Sequence, residues 1–254
     1  MGLGGLRDSE TVAAVPVRFY EGGGWREGTA ALIGERDLEI FVNGVFWRSV
    51  SSSGLHPEEL AAGLLFTSRL IAAKGDILDL RHDGEAGRVR VAIKNIPQGE
   101  GRPSVVPGPV PDAPLSRPPK PDLPEPETIL SLMERMVEAA TLHDRTRGTH
   151  AAALADRGGL AVVREDVGRH NCIDMLAGWA LFQGADPGGM WVFRTGRLSR
   201  DIVEKLLTMG VRVVCSLGVP TSSALDAAVS GGLMVIGSVR RDRLTLFTPQ
   251  PAGD

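Results

Sequence analysis

From Arg164 to Leu176 the chain reads REDVGRHNCIDML. This sets Glu165, Asp166, Arg169, His170, Asn171 and Asp174 at the mouth of an apolar helical run. A carboxylate can accept two hydrogen bonds from an amidine-like edge such as that of guanine, and arginine with histidine can hold pyrophosphate. A nucleotide or a pterin-like ligand satisfies both demands. Ordinary structure offers a competing account, in which Asp166 and Asp174 pair with Arg164 or Arg169 while His170 and Asn171 cap the helix. A cap needs one such residue, however, and this stretch supplies several.

Two further segments repeat the pattern, RTGRLSRD (Arg194 to Asp201) and SLGVPTSSA (Ser216 to Ala224). Each leaves an apolar run, turns at glycine or proline, and enters a second run through serine or threonine. Helix N-termini present unpaired N–H groups and a partial positive charge, and Arg197 adds a planar fork suited to phosphate. Ser199, Thr221, Ser222 and Ser223 can each cap a helix or donate to an oxygen. Capping explains either loop alone, whereas three such loops at one sheet edge point to a site.

Metal and nucleophile chemistry has little support. GTHAAAL, around His150, partly resembles the His-x-Glu element of zinc deaminases, but no glutamate stands two residues on and no Pro-Cys-x-x-Cys follows. Hydrolytic deamination and a metal site are therefore not expected, and His143 and His150 read as solvated surface histidines. The two cysteines, Cys172 and Cys215, are far apart and in no metal or redox spacing. Cys172 falls inside an apolar helical turn. Cys215 ends a strand before a glycine loop and is the better-placed thiol, although burial is the ordinary condition of both.

Elements must hold these residues. Residues 10–96 read as a β-rich unit. It contains a hairpin about Asn43-Gly44, one helix in HPEELAAGLLFTSRLI with Pro57 in its first turn, and an alternating strand in GRVRVAIKNI. Residues 97–126 hold eleven of the 17 prolines and no aromatic residue, a linker composition. Residues 127–254 alternate strands and helices. The segment PETILSLMERMVEAATLH predicts one helix, Thr149–Ala155 and Leu160–Glu165 a strand pair, and the REDVGRHN helix runs to about Phe182. Strands near 190–194, 211–217, 233–239 and 244–247 enclose helices near 199–209 and 222–229. That order implies a mostly parallel sheet covered on both faces, with ligands outside its carboxyl edge. A hydrophobic fraction of 43% fills a core, and a net charge of -3 gives no footprint for nucleic acid. No apolar run reaches membrane-spanning length, and no signal peptide is evident, so a cytoplasmic protein is expected.

In this order RGTHAAAL, REDVGRHNCIDML, TGRLSRDIVEKL and VPTSSALDAA through VIGSVR resemble the FdhD/NarQ family of formate dehydrogenase accessory proteins. The resemblance implies an α/β fold, a cytidine-deaminase-like layered domain without catalytic zinc beside a smaller β-rich N-terminal domain, usually as a homodimer. It implies binding of the molybdenum bis-molybdopterin guanine dinucleotide cofactor as cargo, with GDP-like nucleotides as mimics. It further implies sulfur delivery from a cysteine desulfurase toward formate dehydrogenase, without nucleic acid or membrane partners. His150, Asp166, Arg169, His170, Asn171, Asp174, Arg197, Ser199, Thr221, Ser222 and Ser223 are the cofactor-binding rim on this reading.

Two departures stand out. The family's Cys-x-x-Cys loop between the domains is replaced by NIPQGEGRPSVVPGPVPDAPLSRPP, which has no cysteine. Met175 stands where the family usually has lysine, which removes one cation from the rim. A persulfide needs a thiol to carry it. The foremost reading is a cofactor-binding maturation factor that supports sulfuration or delivery. A sulfurtransferase with Cys215 or Cys172 as relocated carrier comes second, and a nucleotide-processing enzyme on the deaminase-like scaffold third.

Overall fold

The computed structural model describes residues 11–94, 121 and 123–248. Most of the segment read as a linker lies outside the described residues, as do residues 249–254. The chain begins with a ribbon, β1 (Val12–Glu21) and β2 (Gly24–Ile33), turning at Gly22-Gly23 with both glycines at positive φ. The sequence reading missed this ribbon. Next come β3 (Arg36–Val42) and β4 (Val45–Ser52), joined by the expected Asn43-Gly44 turn, whose φ values of 49° and 83° are those of a two-residue hairpin. Helix α1 (Pro57–Thr67) follows, then β5 (Ile77–Asp83) and β6 (Arg88–Ile93). They complete a four-stranded sheet in the order β4-β3-β6-β5. Leu38, Ile40, Val89 and Val91 of that sheet bury against Leu60, Leu64 and Leu65 of α1.

Helix α1 stops earlier than its apolar pattern suggests. Arg69 turns left-handed at φ 60°, and Leu70 N–H bonds back to the Leu65 carbonyl at 2.9 Å, closing the helix. The helix expected over residues 126–143 is likewise divided. Ala140 leaves the helical region at ψ 67°, which separates α2 (Pro126–Ala139) from α3 (Thr141–Thr146). Glu165 enforces the break by accepting hydrogen bonds from the Leu142 and His143 N–H groups at the start of α3.

The remaining elements are β7 (His150–Asp156), β8 (Gly159–Asp166), α4 (Arg169–Gln183), β9 (Trp191–Arg194), α5 (Arg200–Thr208), β10 (Val213–Ser216), α6 (Ser222–Gly231), β11 (Met234–Arg240) and β12 (Arg243–Leu246). The six strands order as β12-β11-β10-β9-β7-β8. The sheet is not mostly parallel. Only β9, β10 and β11 run parallel, because the two-residue turns at Arg157-Gly158 and Arg241-Asp242 force antiparallel hairpins at both flanks, and β7 opposes β9. Both faces are covered as expected. Ile129, Leu132, Met133 and Met136 of α2 pack on one face, and α4, α5 and α6 pack on the other.

Helix α4 joins the two parts of the molecule. Its sheet-facing residues Cys172, Ile173 and Leu176 belong to the core with β7 and β9, while Met175 is fully buried in the core built on α1. Met175 therefore does not stand at a rim, which corrects the reading of that position as a missing surface cation.

Candidate functional site at the strand ends

The carboxyl ends of β9, β10 and β11 are held together by glycine. A Cβ on Gly218 would strike the Gly196 carbonyl, and one on Gly237 would lie 2.8 Å from the Gly218 carbonyl oxygen. No side chain fits there. This close approach lets the loops after β9 and β10 pair directly. Leu198 N–H donates to the Val219 carbonyl at 3.1 Å, and Thr221 N–H donates to the Leu198 carbonyl at 3.0 Å. Ser238 N–H reaches the Gly218 carbonyl at 3.0 Å from a left-handed backbone at φ 51°. The two loops read from the sequence thus form one edge.

Asp166 and Asp174 are both engaged by protein partners. Asp166 is fully buried and accepts four hydrogen bonds, from the Ser53 N–H and hydroxyl at 2.8 Å each, from Gly168 N–H at 2.8 Å and from the Asn171 amide at 2.7 Å. Those bonds occupy both oxygens, so guanine reading by Asp166 is not supported. Asn171 spends its second amide hydrogen on the Ser51 carbonyl. Asp174, also fully buried, binds the Lys205 ammonium at 2.6 Å and the Thr67 hydroxyl at 2.7 Å. Arg164 forms a two-pronged pair with Glu59 at 2.6 and 2.7 Å and does not pair with Asp166 or Asp174. The contacts to Ser51, Ser53, Glu59 and Thr67 tie the second part of the chain to the first. The helix cap is also not the one read from the sequence, because Gly168 holds the N-cap position of α4.

Basic and hydroxyl side chains remain at the edge. His170, half-buried, places Nε2 3.5 Å from the Ser199 hydroxyl. Ser199 makes no side-chain cap on α5, in contrast to Thr221, whose hydroxyl caps α6 by accepting from Ala224 N–H at 3.2 Å. Arg197, Ser222 and Ser223 are exposed on the paired loops. His150 bonds the Thr195 hydroxyl at 3.1 Å through Nδ1, and His143 bonds the Thr149 carbonyl at 2.6 Å. Neither is the solvated histidine expected from the sequence.

Sequence reasoning missed Arg194. It ends β9 at 1% exposure, with Nη1 bonded to the Gly196 carbonyl at 3.0 Å and facing the Ser216 hydroxyl at 3.4 Å. Its Nε and Nη2 have no hydrogen-bond partner, and neither does the buried Nε of Arg169. A buried guanidinium without a carboxylate is costly, so this is an unusual residue. Burial and the neighbouring Arg169 guanidinium lower its pKa to about 10, and it remains charged at neutral pH. Burial, with Arg194 and Arg169 close by, also holds His150 below the usual histidine value, and burial with Arg169 and Lys205 does the same to His170. A signal was available in the sequence, an arginine within an otherwise apolar strand, immediately before a glycine loop.

Both thiols are sealed. Cys172 is 1% exposed and Cys215 0%, and burial pushes both far above the ordinary thiol range. Cys215 points into the α2-side core with Met133 and Phe193, so the expectation of an accessible thiol at that strand end is not met. Among the described residues no cluster of histidine, cysteine or acid could hold a metal ion, and no helix is long and apolar enough to cross a membrane. A separate cleft of about 490 Å³, lined by Phe66, Arg69, Lys94 and Thr208, opens at the far end of α5 and contains none of the rim residues.

Comparison with known proteins places the chain among relatives of one family. The model of the FdhD/NarQ family matches residues 33–252. A curated relative in Streptomyces avermitilis, named sulfur carrier protein FdhD, is 39% identical over 125 residues, covering 48% of this chain and 44% of the relative. The chain thus spans less than half the length of that relative in the match. A protein of the same name in Geobacillus kaustophilus is 29% identical over 246 residues, covering 92% and 94%. The fold matches the crystal structure of a candidate formate dehydrogenase accessory protein from Desulfotalea psychrophila. The TM-score is 0.79 at 24% identity, over 94% of this chain and 98% of that one.

Proposed function

Because the chain belongs to the FdhD/NarQ family, we propose that it is an accessory factor for formate dehydrogenase maturation, holding the molybdenum bis-molybdopterin guanine dinucleotide cofactor as cargo and supporting its sulfuration or delivery. The observation that carries this choice over sulfur transfer is the burial of both thiols, at 1% and 0% exposure, in a chain whose inter-domain segment has no cysteine. A buried, protonated thiol is a poor nucleophile. The binding side is retained in Arg169, His170, Arg197, Ser199 and the start of α5, which offer cations and N–H donors to an anionic ligand. Orphaned guanidinium nitrogens on Arg169 and Arg194 fit a phosphate-bearing cargo. A guanine-bearing ligand would set its base away from Asp166, whose oxygens are already occupied.

The same reading takes residues 127–254 as a cytidine-deaminase-like domain, on the strength of a central parallel trio with helices on both faces. It takes residues 10–96 as the smaller domain, a homodimer as the working form, the cytoplasm as its place, and a cysteine desulfurase as the sulfur source. The test is intact-mass analysis after anaerobic incubation with a cysteine desulfurase and cysteine, beside titration with GDP. Retained GDP binding without a thiol-reversible gain of sulfur is expected. A gain abolished by Cys172→Ser or Cys215→Ser would restore the sulfurtransferase reading.

A further inference from the structure

We propose that the cleft at the far end of α5 is a binding site for a small organic monocarboxylate with an apolar body, separate from the cofactor-binding rim and independent of the cargo reading above.

The cleft holds about 490 Å³, within the range of small-molecule sites, and it opens where the two parts of the chain meet, a common place for them. The end of α1, residues 70–76 and Lys94 after β6 supply most of its wall, and Thr208 of α5 supplies the rest. Its apolar surface comes from Phe66, Leu70, Ile71 and Ala72. Ile71 is buried, and Phe66 packs against the cores of both parts, so this surface is held in place.

Two cations line the cleft without an acid matched to either. Arg69 makes one long hydrogen bond, from Nη2 to the Thr208 hydroxyl at 3.5 Å, and no ion pair among the described residues. The Lys94 ammonium makes neither among the described residues, whereas that of Lys74 nearby is engaged by the Phe182 carbonyl at 3.0 Å. Asp76 is committed to the wall itself. Its Oδ2 accepts from the Ala72 and Ala73 N–H groups at 2.8 and 3.0 Å, and these bonds hold its carboxyl below the usual range. The Asp76 carbonyl accepts from Lys94 N–H at 2.8 Å, which fixes the base of Lys94 beside it. Two cations and one bound carboxylate leave the cleft a single positive charge. That balance suits a monoanion, whereas a phosphate dianion would face Asp76 and leave the apolar wall uncovered.

The backbone of Arg69 supports the same assignment. At φ 60° it holds the left-handed conformation that closes α1, where helix ends ordinarily carry glycine. A side chain is disfavoured there, and strain of this kind gathers at ligand sites. The guanidinium is a planar two-pronged donor, the partner geometry of a carboxylate.

The test is titration calorimetry at low salt on the full chain with 4-phenylbutyrate, 4-phenylbutanamide, acetate and inorganic phosphate, repeated in Arg69→Gly and Lys94→Gln and with GDP added. 4-Phenylbutyrate is expected to bind best. Loss of its charge in the amide, or of either cation in the variants, is expected to weaken binding by roughly tenfold, as for a charge-assisted pair. Arg69→Gly is expected to keep or raise the melting temperature, because glycine accepts the left-handed backbone, so unfolding does not explain its lost binding. Added GDP is expected to change nothing. The site is overturned if 4-phenylbutyrate does not bind, binds both variants as tightly as the parent, or is matched by the amide, acetate or phosphate. Displacement by GDP would place the carboxylate at the rim and also overturn it. Absence of GDP binding with 4-phenylbutyrate still bound would remove the cargo reading and keep the cleft.

Discussion

Gly63 of α1 and Gly178 of α4 meet backbone to backbone: a Cβ on Gly63 would lie 2.8 Å from the Gly178 nitrogen and would strike the Asp174 carbonyl. A Cβ on Gly178 would strike the Glu59 carbonyl. This crossing brings Thr67 to Asp174 and Glu59 to Arg164, and it fixes α4 between the two sheets. The helix that opens at the cationic edge is thus set in place by two residues without side chains.

Substituting alanine at either position is expected to destabilise by about 3 kcal/mol or more, at or beyond the upper end for overpacking, because the atoms struck are backbone and cannot rotate away. Urea unfolding measures it. Gly75→Ala, where a Cβ meets nothing within 4 Å, is the control and is expected to stay within about 0.5 kcal/mol. Equal stability of the three variants would mean that the crossing is not tight.

Asp166→Ala separates structure from recognition. It strips acceptors from the buried Ser53 N–H and hydroxyl and from the part-buried Gly168 N–H, and is expected to cost about 2–4 kcal/mol. GDP affinity, measured where the variant is folded, is expected to change little. A variant of parental stability that has lost GDP would instead assign Asp166 to the ligand.

How far the sequence could be read depends on the range of the interaction. Local signals were sufficient for the Asn43-Gly44 turn, Pro57 at the start of α1 and the loops after β9 and β10, since turn chemistry and periodicity act over a few residues. Asp166 and Asp174 read as ligand groups in the sequence because their partners, Ser53, Thr67 and Lys205, come from elsewhere in the chain. For Arg194 the local signal, an arginine ending an apolar strand before a glycine loop, was present, but its burial without a carboxylate is set by the fold and is not legible locally. The β1–β2 ribbon was missed for another reason: Pro16 and the glycines at 22–24 and 28 weaken its strand pattern. The sheet was misread because βαβ order was carried over to strands that two-residue turns make antiparallel.

Lys205 offers a third check. Its ammonium is mostly buried against a fully buried Asp174, so Lys205→Met leaves a carboxylate with only Thr67 for company. The expected cost is about 3–5 kcal/mol, with Asp174→Leu added to Lys205→Met recovering much of it, as for other buried pairs. Thermal unfolding of the single and double variants reads this directly. A double variant no more stable than the single would show that Asp174 contributes through Thr67 instead.

Alkylation of native protein should leave Cys172 and Cys215 unmodified until the chain is unfolded, because both sulfurs are buried and protonated. Mass analysis at rising urea concentration is expected to show both thiols reacting together with global unfolding. Early reaction of Cys172 alone would reveal a local opening at the start of α4.

The histidines give the fold a pH dependence of defined sign. His56, His150 and His170 are each held below the ordinary value of 6.5, first by burial and then by cations: Arg164 at His56, Arg194 and Arg169 at His150, and Arg169 and Lys205 at His170. Glu59 and Glu58 oppose the shift at His56, as do Asp174 and Asp201 at His170. Because the folded values lie below the unfolded one, the unfolded chain takes up protons first as the pH falls. The stability these groups contribute is present above 6.5 and is lost as the pH drops through their folded values. Melting temperature is therefore expected to fall as the pH drops below the ordinary histidine value of 6.5, less steeply in His150→Gln and His170→Gln, since each removes one such proton. Equal slopes in the parent and both variants would show that these histidines titrate alike folded and unfolded.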